Sequence, residues 1–160
     1  MHQLKDLEHI INIAKQTYQQ DINGIHGLNH WHRVYKNGML VGKAENANLR
    51  IVGLFAFLHD CKRENESIDP DHGLRAADFI KTFDLDTLGI SQAEKEILCY
   101  TCIYHNKGKI SDDPTIGTCW DADRLDLMRV SIYPDADYLS TKTAKSQDII
   151  DHCVEQSLEI

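Results

Sequence analysis

Phe55-Ala56-Phe57-Leu58-His59-Asp60 closes an apolar stretch that begins at Ile51 and carries Val52, Leu54, Phe55 and Phe57. The run reads as a buried helix that delivers an imidazole and a carboxylate as adjacent residues at its end. Charge at the end of a buried element needs a partner, because an unpaired ion in an apolar setting is strongly disfavoured. A divalent cation meets that need if the rest of the chain supplies further donors. A His-Asp pair by itself also fits an exposed helix end capped by Asp60, so the decision rests on the surrounding sequence.

Upstream, a helix is expected from about His30 to Ala44, capped by Asn29, with Val34, Met39, Leu40 and Val41 for the core. His30 stands four residues before Val34 and shares its face, whereas His32 points away. Before it come an amphipathic helix over about Leu4 to Tyr18, with apolar residues at three- and four-residue steps, and a glycine-containing turn over Asp21 to Gly27. Downstream, the charged loop Cys61 to Ile68 belongs at the surface. Asp69-Pro70 then predicts a helix start, with Asp69 as N-cap and His72 in the first turn. Leu74, Ala76, Ala77, Phe79, Ile80 and Phe83 carry that helix onto the core. Ser91-Gln92-Ala93-Glu94 is a capping box that opens a helix to about Tyr104, with His105 at its C-terminal end. Ser111-Asp112-Asp113-Pro114 starts another, in which Asp123 shares a face with Cys119, Trp120 and Leu127. The tail from Ser131 holds a proline turn at Tyr133-Pro134-Asp135 and a final helix from about Ala144 to Leu158. There is no internal repeat or linker.

With 160 residues and 42% hydrophobic content the chain fits one domain with an adequate core. A formal charge of -8 excludes a general nucleic-acid or membrane binder, which needs broad Lys/Arg surfaces. No membrane-length apolar run or signal-peptide pattern is present, so a cytoplasmic protein is expected. Five cysteines give no disulfide framework, and Cys99 and Cys102, though spaced CxxC, lie in an apolar pattern as small core residues.

Helix after helix thus turns a histidine or aspartate inward: His30, His59 with Asp60, His72, His105 and Asp123. The order His, His-Asp, Asp, with Arg33-Val34 after the first histidine and the last aspartate within Asp121-Ala122-Asp123-Arg124-Leu125-Asp126, resembles the HD superfamily of metal-dependent phosphohydrolases. The resemblance covers about Gly27 to Asp126. It implies an all-α HD-type helical bundle over residues 1–133, with residues 134–160 as a helical tail packed on the same domain. It further implies His30, His59, Asp60 and Asp123 as metal ligands, Asp123 being preferred to Asp121 and Asp126 because it precedes the arginine. His72 and His105 match the additional histidines of the two-metal branch, with Asp60 bridging two cations. Imidazole with carboxylate suits Fe, Mn, Co, Ni or Zn without selecting one, so one or two such divalent ions are expected.

No Gly-Tyr-Pro motif follows the ligands, unlike the cyclic-dinucleotide esterases, and Cys61-Lys62-Arg63-Glu64 replaces the Glu-Asp of the alarmone hydrolases. The spacing of His105 to Asp123 most resembles the bacterial hydrolases of diadenosine tetraphosphate, with His72 nearer the His-Asp pair than in those enzymes. The resemblance implies hydrolysis of a nucleotide or other small phosphate compound, as phosphomonoesterase or phosphodiesterase, by metal-activated water. Asp60 would be central to catalysis, Arg63 and Lys62 would steady the phosphate, and Lys107 is a further candidate. Arg124 and Asp126 read as outer partners or structural residues. The alternatives are a di-iron oxygenase of the same superfamily, separable by anaerobic assay, and a non-catalytic metal-stabilised ligand-binding module. The expected partner is a small phosphate-containing substrate, with no nucleic-acid polymer and no membrane.

Overall fold

Ile51 through Leu58 are all buried in the computed structural model, which describes residues 2–159. The helices, in chain order, are α1 (His2–Asp6), α2 (Glu8–Thr17), α3 (Leu28–Glu45), α4 (Leu49–Leu58), α5 (His72–Lys81), α6 (Leu85–Leu88), α7 (Gln92–Tyr104), α8 (Pro114–Arg124) and α9 (Gln147–Leu158). Two 3-10 turns, Leu127–Val130 and Ala136–Tyr138, join α8 to α9. No strand occurs among the described residues. The architecture is an all-α bundle.

The apolar helix α4 is the axis of that bundle. α3, α8, α7 and α2 pack around it, and α5 lies along α7 on the outer side. Burying each large side chain such as Leu54, Phe55, Phe57 or Leu58 contributes about 1.5–3 kcal/mol, and all four are fully covered. Asn48 sets where α4 begins, its side-chain oxygen accepting from the Arg50 and Ile51 N–H groups at 3.1 and 3.2 Å. The same side chain donates to Glu94 Oε2 at 2.5 Å, tying α4 to the start of α7.

Several expected boundaries move. The N-terminal amphipathic stretch is two helices broken at Leu7, and the last helix starts at Gln147 instead of Ala144. α3 starts two residues before His30 on Gly27, without a side-chain cap, so Asn29 is inside the helix. Asp69 does not cap α5, because its carboxylate is engaged elsewhere: it accepts from the Glu64 N–H at 2.8 Å and pairs with Arg75 at 2.6 Å. The helix begins at His72, with Asp71 in the cap position. Leu74 is 45% exposed and does not reach the core. The capping box at Ser91 and Glu94 and the Asp113-Pro114 start of α8 form as the sequence indicates.

Residues after Ser131 fold back on α3 and α8, where Leu139, Ala144, Ile150 and Cys153 bury against Val41 and Leu125. Asp121 fastens this segment, accepting from Ser140 N at 2.6 Å, Thr141 N at 2.8 Å and Thr141 Oγ1 at 2.7 Å. Cys99 and Cys102 are both buried core residues. No described helix is long and apolar enough to cross a membrane.

Candidate metal centre

Each of the four inward histidines is aimed by its second ring nitrogen. His59 caps the C-terminus of α4, and its Nδ1–H is shared between the Phe55 and Ala56 carbonyls at 2.9 and 3.1 Å, the Phe55 oxygen also accepting the His59 backbone N–H at 2.9 Å. His105 does the same at the end of α7, donating from Nδ1 to Cys102 O at 2.6 Å. His72, at the first position of α5, donates from Nδ1 to Asp69 O at 2.5 Å. His30 on α3 donates from Nδ1 to Asp126 Oδ2 at 2.6 Å, and Asp126 Oδ1 accepts from Arg33 Nε at 2.7 Å. Carbonyl oxygens only accept, so the proton is on Nδ1 at His59, His72 and His105, and the Nε2 atoms are left as lone-pair donors.

Those Nε2 atoms converge on Asp60 and Asp123. Asp60 Oδ2 lies 3.3 Å from both His30 Nε2 and His59 Nε2, and Asp123 Oδ1 lies 3.2 and 3.5 Å from the same two nitrogens. The other oxygen, Asp60 Oδ1, faces His72 Nε2 at 3.1 Å and His105 Nε2 at 3.5 Å. The six expected residues are therefore brought together in two neighbouring groups, with Asp60 contributing one oxygen to each. The Nε2 atoms also face each other, at 3.3 Å for His30 with His59 and 2.9 Å for His72 with His105. Two lone pairs at that distance repel unless a proton or a cation lies between them.

The spacing fits a metal. Ligand atoms about 2.0–2.2 Å from one ion, at angles between square and tetrahedral, lie about 3.0–3.5 Å from one another, which is the range observed here. Asp123 Oδ1 is buried and accepts no hydrogen bond among the described residues, as expected of a metal-ligand oxygen. His30, His59 and Asp60 could hold one divalent ion and Asp60, His72 and His105 a second, while Asp123 is grouped with His59 and His105 and has Oδ1 3.2 and 3.5 Å from His30 and His59.

Electrostatics agree. Burial disfavours a charged His59, yet the Asp60 and Asp123 carboxylates outweigh it and push its pKa up to about 10. His30 is raised too, although burial and Arg129 oppose the effect of Asp123, Asp126 and Asp60. Asp60 and Asp123 are held well below the usual carboxylate range against burial, chiefly by His59 at Asp60 and by His30 and His59 at Asp123. At His105 burial wins and lowers the pKa. A buried Asp60 and a half-buried Asp123 that stay ionised thus demand positive charge between the rings.

The basic residues divide. Arg63 is buried against the cluster, with Nη1 3.4 Å from both ring nitrogens of His72. Nδ1 already donates to Asp69 O, so of the two contacts only the one to Nε2 can be a hydrogen bond, and a long one. Its Nε and Nη2 donate to Asn65 O and Ser67 O at 3.1 and 2.8 Å, shaping the loop. Lys62 points elsewhere, its ammonium 5.1 Å above the Phe79 ring, and does not join the cluster. Lys107 donates to Pro70 O at 2.9 Å. A cleft of about 320 Å³ opens beside the cluster, lined by Arg63, Ile68, His72, Asn106 and Lys107 among others. A larger cavity of about 680 Å³ on the outer face of α7, at Lys95, Tyr100 and Tyr104, contains none of the cluster residues.

One network was not anticipated from sequence. Glu66 accepts from Tyr18 Oη and from His26 Nδ1, each at 3.0 Å, and the His26 ring stands edge-on to His30 with centroids 6.4 Å apart. The three residues come from separate segments, and no local pattern marks them.

Among solved structures the chain is similar to a predicted HD superfamily hydrolase from an uncultured Thermotogales bacterium, with 25% identity and a TM-score of 0.72 over 93% of this chain and 85% of that one. The fold is that of the HD superfamily. No protein-family model matches the sequence, and neither does any curated protein. Within the HD fold, His30, His59, Asp60 and Asp123 occupy the order that the resemblance called for, and the cluster they form is compatible with the metal site of an HD domain. The neighbour's description links this fold to hydrolysis at the level of the superfamily.

Proposed function

We propose that the protein is a metal-dependent phosphohydrolase of the HD superfamily, cleaving a nucleotide or other small phosphate compound at a two-ion centre. The observation that carries the reading is the division of Asp60, whose two oxygens face two different histidine pairs. A bound ion pair would polarise phosphoryl oxygens and lower the pKa of a water toward about 7. The chain's own residues supply the rest. Asp126 and four backbone carbonyls fix the ring orientations, so the donors need no rearrangement. Arg63, held beside His72 at the edge of the 320 Å³ cleft, is the cation placed to meet phosphate charge there, with Lys107 on the same rim. Lys62 has no part in this reading, since its ammonium rests on Phe79.

The test is a panel of phosphomonoesters, nucleotides and dinucleoside polyphosphates, assayed with Mn, Co, Ni, Zn or Fe(II) after chelation. Turnover that needs added metal, persists without oxygen and vanishes in Asp60→Ala supports the proposal. Full activity in Asp60→Ala, or in the metal-stripped protein, refutes it.

A further inference from the structure

The cavity of about 680 Å³ on the outer face of α7 has the size of a small-molecule site. Gln92, Lys95, Cys99, Tyr100, Ile103 and Tyr104 line it at steps of three and four residues, so it follows one face of α7 for the length of the helix. The opposite face of α7 buries Leu98, Thr101 and Cys102. On the cavity side Tyr100 is 43% exposed.

The two ends of the groove differ in chemistry. α5 and α7 run antiparallel, since Gly73 meets Cys102 while the Lys81 carbonyl meets Lys95. Lys81, the last residue of α5, therefore joins Lys95 and Gln92 at the start of α7. Lys95 is held by backbone alone: Nζ donates to Phe83 O at 2.5 Å and to Lys81 O at 3.3 Å, which leaves a third N–H and the full charge. Lys81 makes a loose, exposed contact with Asp78 at 3.6 Å. The one carboxylate in the lining, Glu96, is exposed and accepts from Gln92 Nε2 at 3.4 Å. At the other end the Tyr100 and Tyr104 rings pack with centroids 4.8 Å apart, and the Lys109 ammonium sits 4.3 Å from the Tyr104 ring, so the aromatic wall is braced.

In a chain of net charge -8, two ammoniums at one end of a groove form a local positive spot. A small inorganic anion would satisfy that end and leave the apolar end wet. From Lys95 to Tyr104 the helix rises about 14 Å. An anionic head carrying an apolar chain of that reach meets both ends.

We propose that the groove between α5 and α7 binds a single-chain amphipathic anion, a carboxylate with an alkyl tail, its head on Lys95 and Lys81 and its tail along Cys99, Tyr100, Ile103 and Tyr104. The site is separate from the candidate metal centre and does not depend on the phosphohydrolase reading.

The experiment titrates the full-length protein with decanoate, octanoate, octan-1-ol and acetate by calorimetry, in the parent and in Lys95→Met, Lys81→Met and Tyr100→Ser, with sedimentation of the ligand-free chain alongside. Each buried CH₂ strengthens binding about 4-fold, so decanoate should bind tighter than octanoate by up to about 15-fold, with no binding of acetate. Either lysine substitution should weaken decanoate about 10-fold and leave octan-1-ol unchanged, whereas Tyr100→Ser should weaken both. If Lys95→Met fails to fold, Lys81→Met decides the head contact. Absence of saturable decanoate binding, or equal affinity in the parent and the folded variants, overturns the site. A ligand-free dimer that Tyr100→Ser disperses assigns the groove to a second copy of the chain and overturns it as well.

Discussion

Replacing Gly73 by alanine separates the two halves of the centre. Gly73 follows His72 on α5 and faces the backbone of α7, where an added methyl group would run into the Cys102 carbonyl and come within 3.2 Å of His105 Nδ1. That carbonyl is the acceptor that orients His105, and as backbone it cannot rotate away. Restoring ordinary contact requires α5 and α7 to part by on the order of 1 Å. Metal–ligand distances tolerate only about 0.2 Å, so the His72–His105 pair should lose its ion. Overpacking of this kind costs about 1–3 kcal/mol, which in a chain of this size lowers Tm by about 2–4 °C per kcal/mol. His30, His59 and Asp123 lie on α3, α4 and α8 and are untouched. Element analysis and calorimetry on parent and Gly73→Ala should therefore show two equivalents falling to one, with a lower Tm. Two retained equivalents at an unchanged Tm would refute the reasoning.

Other perturbations act at separate points. Asp126→Asn removes the charge that His30 Nδ1 and Arg33 share, and should weaken metal binding about 10- to 100-fold, as read by competition with a chelator. Asp121→Ala leaves three donors at Ser140 and Thr141 without their acceptor and should cost roughly 3 kcal/mol or more, seen as proteolysis within residues 132–146 at lower denaturant. Glu45 accepts from Thr143, whose side chain and N–H hold its pKa below the usual value. Stability from this contact is present above the unfolded Glu pKa and is lost as pH falls through the lower folded value. Glu45→Gln should therefore destabilise the chain at pH 7 by about 0.5–1.5 kcal/mol, and by less at pH 3, in urea titrations.

What the sequence discloses and conceals follows from the range of the interactions. α4 is legible because an apolar run of that length is buried, and the other inward histidines and aspartates decide that the His-Asp pair at its end faces in as well. His30 and Asp123 follow from helical register with Val34 and with Trp120. Asp69 misleads because its local signal, Asp before Pro, competes with a pairing to Arg75 and the Glu64 N–H that register does not reveal. The position of Lys62 is likewise hidden, since its ammonium lies over Phe79 on another helix. Glu66 joins residues 48 and 40 positions away, and Asp121 joins a tail 19 and 20 positions on. Such links become visible only when the helices are assembled.

The most direct measurement is anomalous scattering from crystals of the protein loaded with Mn or Zn. Two peaks about 3.5–4 Å apart, one among His30, His59, Asp60 and Asp123 and one among Asp60, His72 and His105, are the expected result. Metal-loaded crystals with no peak at Asp60 would contradict the account.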